Sequence, residues 1–195
     1  MKTIRGISVS RGINIGPVYQ FRHLDLSFNT IQVSDRDAEW QRFQDAVKAS
    51  KANLQKMYDR AVQEIGTDEA MIFHAHMMML EDPDLIEGTQ SKIIDDGVNA
   101  EAALTEVCEQ YCDMLREIDD EYLQARVVDI QDVCHGVVAE LLGFGSDAGV
   151  KVSEPSIIIS KDLTPSDCVS IQKALIEGFC TVEGGTTSHT AILAR

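Results

Sequence analysis

Residues 179–195 read Phe179-Cys180-Thr181-Val182-Glu183-Gly184-Gly185-Thr186-Thr187-Ser188-His189-Thr190-Ala191-Ile192-Leu193-Ala194-Arg195. A β-prone run, Phe179 to Val182, leads straight into two glycines, three small hydroxyl residues and one histidine. The Ala/Ile/Leu run that follows reads as a helix. Strand, glycine loop and helix in that order place a neutral imidazole beside a helix N-terminus, where free N–H groups and the helix dipole favour an anion. Glycines let the backbone approach a bulky anion, and Thr186, Thr187 and Ser188 can donate to its oxygens or cap the helix. A neutral imidazole with one nitrogen held by a hydrogen bond presents the other as a nucleophile. A helix-capping loop with an incidental histidine is the alternative.

Working outward, Ile157-Ile158-Ile159 is a second compact apolar strand, and Thr164-Pro165-Ser166-Asp167 is a helix start. At the other end, residues 1–33 carry β-prone pieces: Ile4, Ile7 and Val9, then Ile13, Ile15, Val18, Tyr19 and Phe21, punctuated by glycines and Pro17. Between these ends the period is helical. Ser34 can cap a helix, with Asp35 and Asp37 in its first turn; it carries Trp40, Phe43, Val47, Leu54 and Met57 and stops at Gly66. Thr67 caps the next, with Met71, Ile72, Ala75, Met78 and Met79. Asp82-Pro83 opens a third that runs to Gly97, and Asn99 a fourth. A last stripe runs unbroken from Leu123 to Leu141. Neither β-prone end can bury a sheet face alone, so pairing the two ends is the economical solution. The expected fold is therefore α+β: a small α/β subdomain from residues 1–33 and 144–195, with residues 34–143 inserted as an antiparallel helical bundle.

Charge follows the same division. Of 32 acidic and 17 basic residues, 25 acidic and 9 basic fall within 34–143, while the remainder is almost balanced. That asymmetry argues for two structural units and against nucleic acid as a partner of the middle segment; a basic protein is the natural complement. No apolar run approaches a membrane span and no secretory leader is recognisable, so no membrane partner and a cytoplasmic location are expected. Five scattered cysteines suit buried thiols in a reducing compartment.

The string GGTTSHTAILAR at 184–195 resembles the phosphohistidine signature shared by enzyme I of the bacterial sugar phosphotransferase system, pyruvate phosphate dikinase and phosphoenolpyruvate synthase. Its ending is most similar to enzyme I. The segment GISVSRGINIG at 6–16, FHAHMMMLEDPD at 73–84, DDEYLQAR at 119–126 and DLTPS at 162–166 are also similar to enzyme I motifs. The resemblance implies that His189 accepts a phosphoryl group from phosphoenolpyruvate and hands it to the carrier protein HPr. It implies that Thr164 orients that histidine, and that Gly184, Gly185, Thr187 and Ser188 form the loop around it. Thr186 stands where many members have arginine. The inserted helices would dock HPr through Met78, Met79, Asp82, Asp84, Leu85, Leu123 and Arg126. Three consecutive methionines beside acidic residues suit such a contact on their own account, although a helix must bury at least one of them.

The phosphoenolpyruvate site, the magnesium ligands and the homodimer contact of that family lie in a C-terminal barrel that this chain lacks. No cofactor is expected in this portion, with magnesium expected for the whole enzyme. Without that barrel the chain should not use phosphoenolpyruvate alone; it should exchange phosphate with phosphorylated HPr provided that the α/β part, which stops one or two turns into the helix after His189, folds. Two rivals are a swivelling domain of a dikinase-type enzyme and a non-enzymatic helical binding module. His74 and His76 point about 200° apart on a helix and cannot share a metal; His76 matches a family position near the HPr surface. Cys108 and Cys112 share a helical face, and buried structural thiols rather than a metal site are expected.

Overall fold

A computed structural model describes residues 3–145, 152–171, 173–184 and 191. Three parallel strands lie in chain order: β1 Val18–Gln20, β2 Ser156–Ser160 and β3 Ile176–Thr181. Tyr19 pairs with Ile158, and Ile158 with Phe179. Neighbouring strands β1 and β2 are therefore joined through all six helices that separate them in sequence, and the fold is α+β.

Each of those helices has a local reason to begin. α1, Arg36–Glu64, starts where the Asp35 carboxylate accepts from Ala38 N at 3.0 Å, one residue later than the Ser34 cap expected. α2, Thr67–Met79, follows Gly66, so Thr67 is its first residue rather than its cap. α3, Pro83–Ser91, is capped by Asp82 with Pro83 at its first position. A π-turn, Lys92–Asp96, continues it to Gly97, whose φ of 70° ends the run. The left-handed φ favours glycine, and a Cβ there would lie 2.8 Å from an Arg36 guanidinium nitrogen, so that side chain would have to shift. α4, Ala100–Glu117, begins at Asn99, but that side chain does not cap: it accepts from Ile31 N and donates to Glu101.

The expected stripe from Leu123 to Leu141 is broken. Asp120 caps a single turn, α5 Glu121–Gln124, and α6 Val127–Leu141 starts afresh after Arg126. The packed faces of α1–α4 and α6 meet around Phe43, Phe73, Leu80, Ile93, Leu104 and Val137, each essentially without exposed surface. Burial of each contributes about 1.5–3 kcal/mol.

A smaller core, Phe21, Ile158, Leu163 and Ile171, lies against the sheet. α7, Pro165–Ser170, and a 3₁₀ turn, Lys173–Leu175, carry β2 over to β3. Val169 of α7 packs into the helical core, so α7 is the seam between the two. The strands expected around Ile4, Ile7, Ile13 and Ile15 are absent: those side chains are 79–95% exposed. β-propensity without a partner edge does not make a strand. β3 also begins earlier than the Phe179–Val182 pattern suggests, because its register against β2 runs from Ile176 to Thr181.

Candidate active site

The expected hydroxyl, Thr164, is the N-cap of α7. Its Oγ1 accepts from Asp167 N at 3.2 Å, and the Asp167 carboxylate accepts from Thr164 N at 2.9 Å. This reciprocal box holds Thr164 in one orientation. It uses a lone pair and not the hydrogen of the hydroxyl, and no hydrogen bond in which Thr164 Oγ1 donates occurs among the described residues.

Thr164 lines a cleft of about 390 Å³ bounded by the segment after β1 and by α1, α6 and α7. The cleft is polar on the α7 side. His23 Nδ1 lies 3.5 Å from Asp167 Oδ2, and Ser166 donates to Asp132 Oδ2 from Oγ at 2.7 Å and from its backbone N–H at 3.3 Å. Burial pushes the Asp167 carboxyl above the ordinary carboxylate range. Asp132 adds to this, while the Thr164 N–H and His23 pull it back. Desolvation by the cleft wall holds His135 below the ordinary imidazole range, opposed by Asp132. A cleft of this size, lined by imidazole, hydroxyl and carboxyl groups, has room for a small polar group beside Thr164.

Gly184 is the one expected loop residue that the structure describes, and its φ of 100° belongs to the region that favours glycine. Gly185, Thr187, Ser188 and His189 lie outside the described residues, as does Thr186.

The expected partner face divides by depth. Met77 is buried, Met78 is 63% exposed, and Met79 is half-buried. Met79, Asp82 and Leu85 come together around a pocket of about 80 Å³ with Tyr111, Ile130 and Cys134. Leu85 is itself buried and offers little surface, whereas Asp82 and Asp84 are exposed. Leu123 is half-buried on α5. The Arg126 guanidinium lies 4.5 Å over the Tyr122 ring and donates to Asp129 at 3.0 Å.

Three features escaped sequence reading. His76 is wholly buried rather than near a surface, between the carboxylates of Asp129 and Asp132. The signal was present: His76 falls three residues after Phe73 and four before Leu80, and Asp129 four before Val133, so both lie on apolar stripes. Cys108 is disulfide-bonded to Cys134, across α4 and α6, instead of standing beside Cys112 as a free thiol; Cys112 is free and buried. Finally, Arg42 joins Glu39 and Glu101, with Glu39 also accepting from Ala100 N, and so clamps the starts of α1 and α4 together. No group of three or more His, Cys, Asp or Glu side chains among the described residues is disposed to hold a metal ion, and no helix among them is long and apolar enough to cross a membrane.

Comparison with known proteins adds the following. The family model for the N-terminal region of PEP-utilising enzymes matches residues 5–126, and that for the mobile domain of PEP-utilising enzymes matches residues 152–195. The chain is 40% identical over 195 residues to phosphoenolpyruvate-protein phosphotransferase of Bacillus subtilis (strain 168), and 42% identical over 194 residues to that of Staphylococcus carnosus (strain TM300). Each alignment takes all of this chain and 34% of the relative, so the chain spans about a third of the length of the curated relatives it matches. A solution NMR structure of Enzyme I (nEIt) superposes with a TM-score of 0.76 at 35% identity, covering 95% of this chain and 76% of that one. The N-terminal domain of Enzyme 1 - Nitrogen superposes at 0.67 with the same coverage and 20% identity, a likeness of fold alone.

Proposed function

The chain belongs to the PEP-utilising enzyme family, and from that membership we propose that it is the phosphohistidine-bearing N-terminal portion of an enzyme I-type phosphoenolpyruvate-protein phosphotransferase. His189 takes a phosphoryl group from phosphoenolpyruvate and passes it to HPr, the first step of the sugar phosphotransferase system. The observation that carries this reading is Thr164: a capped, oriented hydroxyl on the wall of a polar cleft, with its hydrogen uncommitted among the described residues.

In this reading residues 1–33 and 144–195 carry the chemistry and residues 34–143 bind the carrier. A ring nitrogen of His189 attacks phosphorus as the P–O bond to enolpyruvate breaks; the P–N bond so formed then breaks as the nucleophile of HPr attacks. Thr164 orients the ring, and Gly184, Gly185, Thr187 and Ser188 surround the phosphoryl group. The work is positioning and charge stabilisation. Met78, Met79, Asp82, Asp84, Leu85, Leu123 and Arg126 meet HPr. The phosphoenolpyruvate site, magnesium and the homodimer contact belong to the rest of a cytoplasmic protein. When bound there, magnesium supplies charge neutralisation to the phosphoenolpyruvate step; the described residues do not fit it.

The test is labelling of the full-length protein with radioactive phospho-HPr. Wild type should take up label and the His189→Ala variant none; retained label on that variant would overturn the assignment.

A further inference from the structure

Asp129 and Asp132 stand almost one turn apart on α6 and face one ring. His76 on α2 has no exposed surface; its Nε2 lies 3.6 Å from Asp129 Oδ1 and its Nδ1 3.8 Å from Asp132 Oδ2. Neither ring nitrogen has a hydrogen-bond partner among the described residues. Both carboxylates are buried, with side chains 3% and 8% exposed. Carboxylate oxygens only accept, so either contact is made through an N–H on the ring nitrogen that faces it. The two gaps are about 0.8 and 1.0 Å longer than a charge-assisted hydrogen bond.

The two carboxylates are anchored in different places. Asp129 accepts from Arg126, a residue of the proposed carrier face. Asp132 accepts both the N–H and the O–H of Ser166, in the first turn of α7, two residues from the Thr164 cap at the cleft. A polar chain, buried at its centre, therefore runs Arg126, Asp129, His76, Asp132, Ser166; its outer links are hydrogen bonds and its two links to His76 are ion-pair contacts of 3.6 and 3.8 Å. Such a chain is sensitive to any one link, because a half-satisfied polar network in a low dielectric is costly.

We propose that His76 is a positioning residue: through Asp129 and Asp132 it ties the carrier face to α7, so that Thr164 is held for phosphoryl transfer when the carrier is docked. This rests on the functional reading above. His76 touches neither carrier nor cleft; it acts through its neighbours.

The experiment is a double-mutant cycle in the full-length enzyme, with transfer from phospho-HPr followed by rapid quench over a range of carrier concentrations. His76→Gln keeps a single donor, and Ser166→Ala cuts the α7 link. Each should lower the saturated rate about tenfold while the half-saturating concentration stays within about twofold. The double variant should be no slower than the slower single. Multiplicative losses, a loss confined to half-saturation, or an unchanged rate would overturn the proposal. If His76→Gln does not fold, Asp129→Asn takes its place at the far end of the chain, with the same expectation. The controls separate the two readings: if wild type takes no label, the function fails; if it labels and the cycle is multiplicative, only the role of His76 fails.

Discussion

The six helices and the three-stranded sheet solve the same problem with unequal means. A helix satisfies its backbone within its own segment and needs neighbours only for its apolar stripe, so α1–α6 bury Phe43, Phe73, Leu104 and Val137 around one large core. A strand needs an edge supplied from elsewhere in the chain. Among the described residues the sheet has a core of four, while Ile4, Ile7, Ile13, Ile15 and Val182 stand in solvent. The helices are a self-contained platform; the sheet end, which the proposed chemistry needs, depends on α7 to bind it to that platform through Val169, Ser166 and the cleft. The large core and the proposed chemistry thus sit in different parts of the molecule.

Core truncations break this contrast most directly. Phe73→Ala should cost about 3–5 kcal/mol and lower the midpoint of the far-ultraviolet helical transition. Ile158→Ala should cost about 2–4 kcal/mol and remove amide-exchange protection from β1–β3, with the helical transition little changed. Equal loss of protection across both regions after either change would show one cooperative unit in place of two cores.

The Glu39–Arg42–Glu101 clamp supplies a milder, pH-dependent test. Hydrogen bonds from Arg42 hold Glu39 low against the effect of burial. For Glu101, burial is the largest single influence and raises it, yet Arg42 and neighbouring donors together outweigh it and also hold it low. Carboxyls lowered in the fold contribute stability that is complete above their ordinary value of about 4.3 and is lost as pH falls through the lowered folded values. Arg42→Met should therefore cost about 2 kcal/mol at neutral pH and flatten that acid loss, as read by urea unfolding between pH 7 and pH 3. An acid limb as steep as in wild type would remove the clamp from the account.

On the proposed carrier face, Met78→Asp should weaken HPr binding about tenfold by titration calorimetry, with melting unchanged because the side chain is exposed. Unchanged affinity would move the docking surface elsewhere. The smallest effect belongs to Ile7→Ser, expected within about 0.5 kcal/mol. A loss above about 1 kcal/mol would mean that this segment pairs after all.

Legibility followed the range of the interactions. The Asp82-Pro83 start, the Gly97 stop, the Thr164 box and the burial of one of Met77–Met79 are set by residues within a turn of one another, and the sequence displays them. The site was legible in part. Thr164 was found as a helix start and as a family hydroxyl, but the side chains that share its cleft, His23 and His135, come from segments 141 and 29 positions away. Nothing in a linear pattern brings those together. The Cys108–Cys134 bond was missed for the same reason, because spacing along one helix drew attention to Cys112 instead.

What the sequence alone determined was that the middle of the chain is helical, where most of those helices lie, and that the acidic charge lies with them; it did not show the break between α5 and α6 or that residues 4–15 form no strand. Tertiary structure decided which apolar residues of the β-prone ends found an edge and which did not. It also decided that His76 sits between two carboxylates, and that α7 belongs to both cores. Caps and stripes act over three or four residues, whereas strand pairing and buried polar contacts exist only once distant parts of the chain have returned to meet.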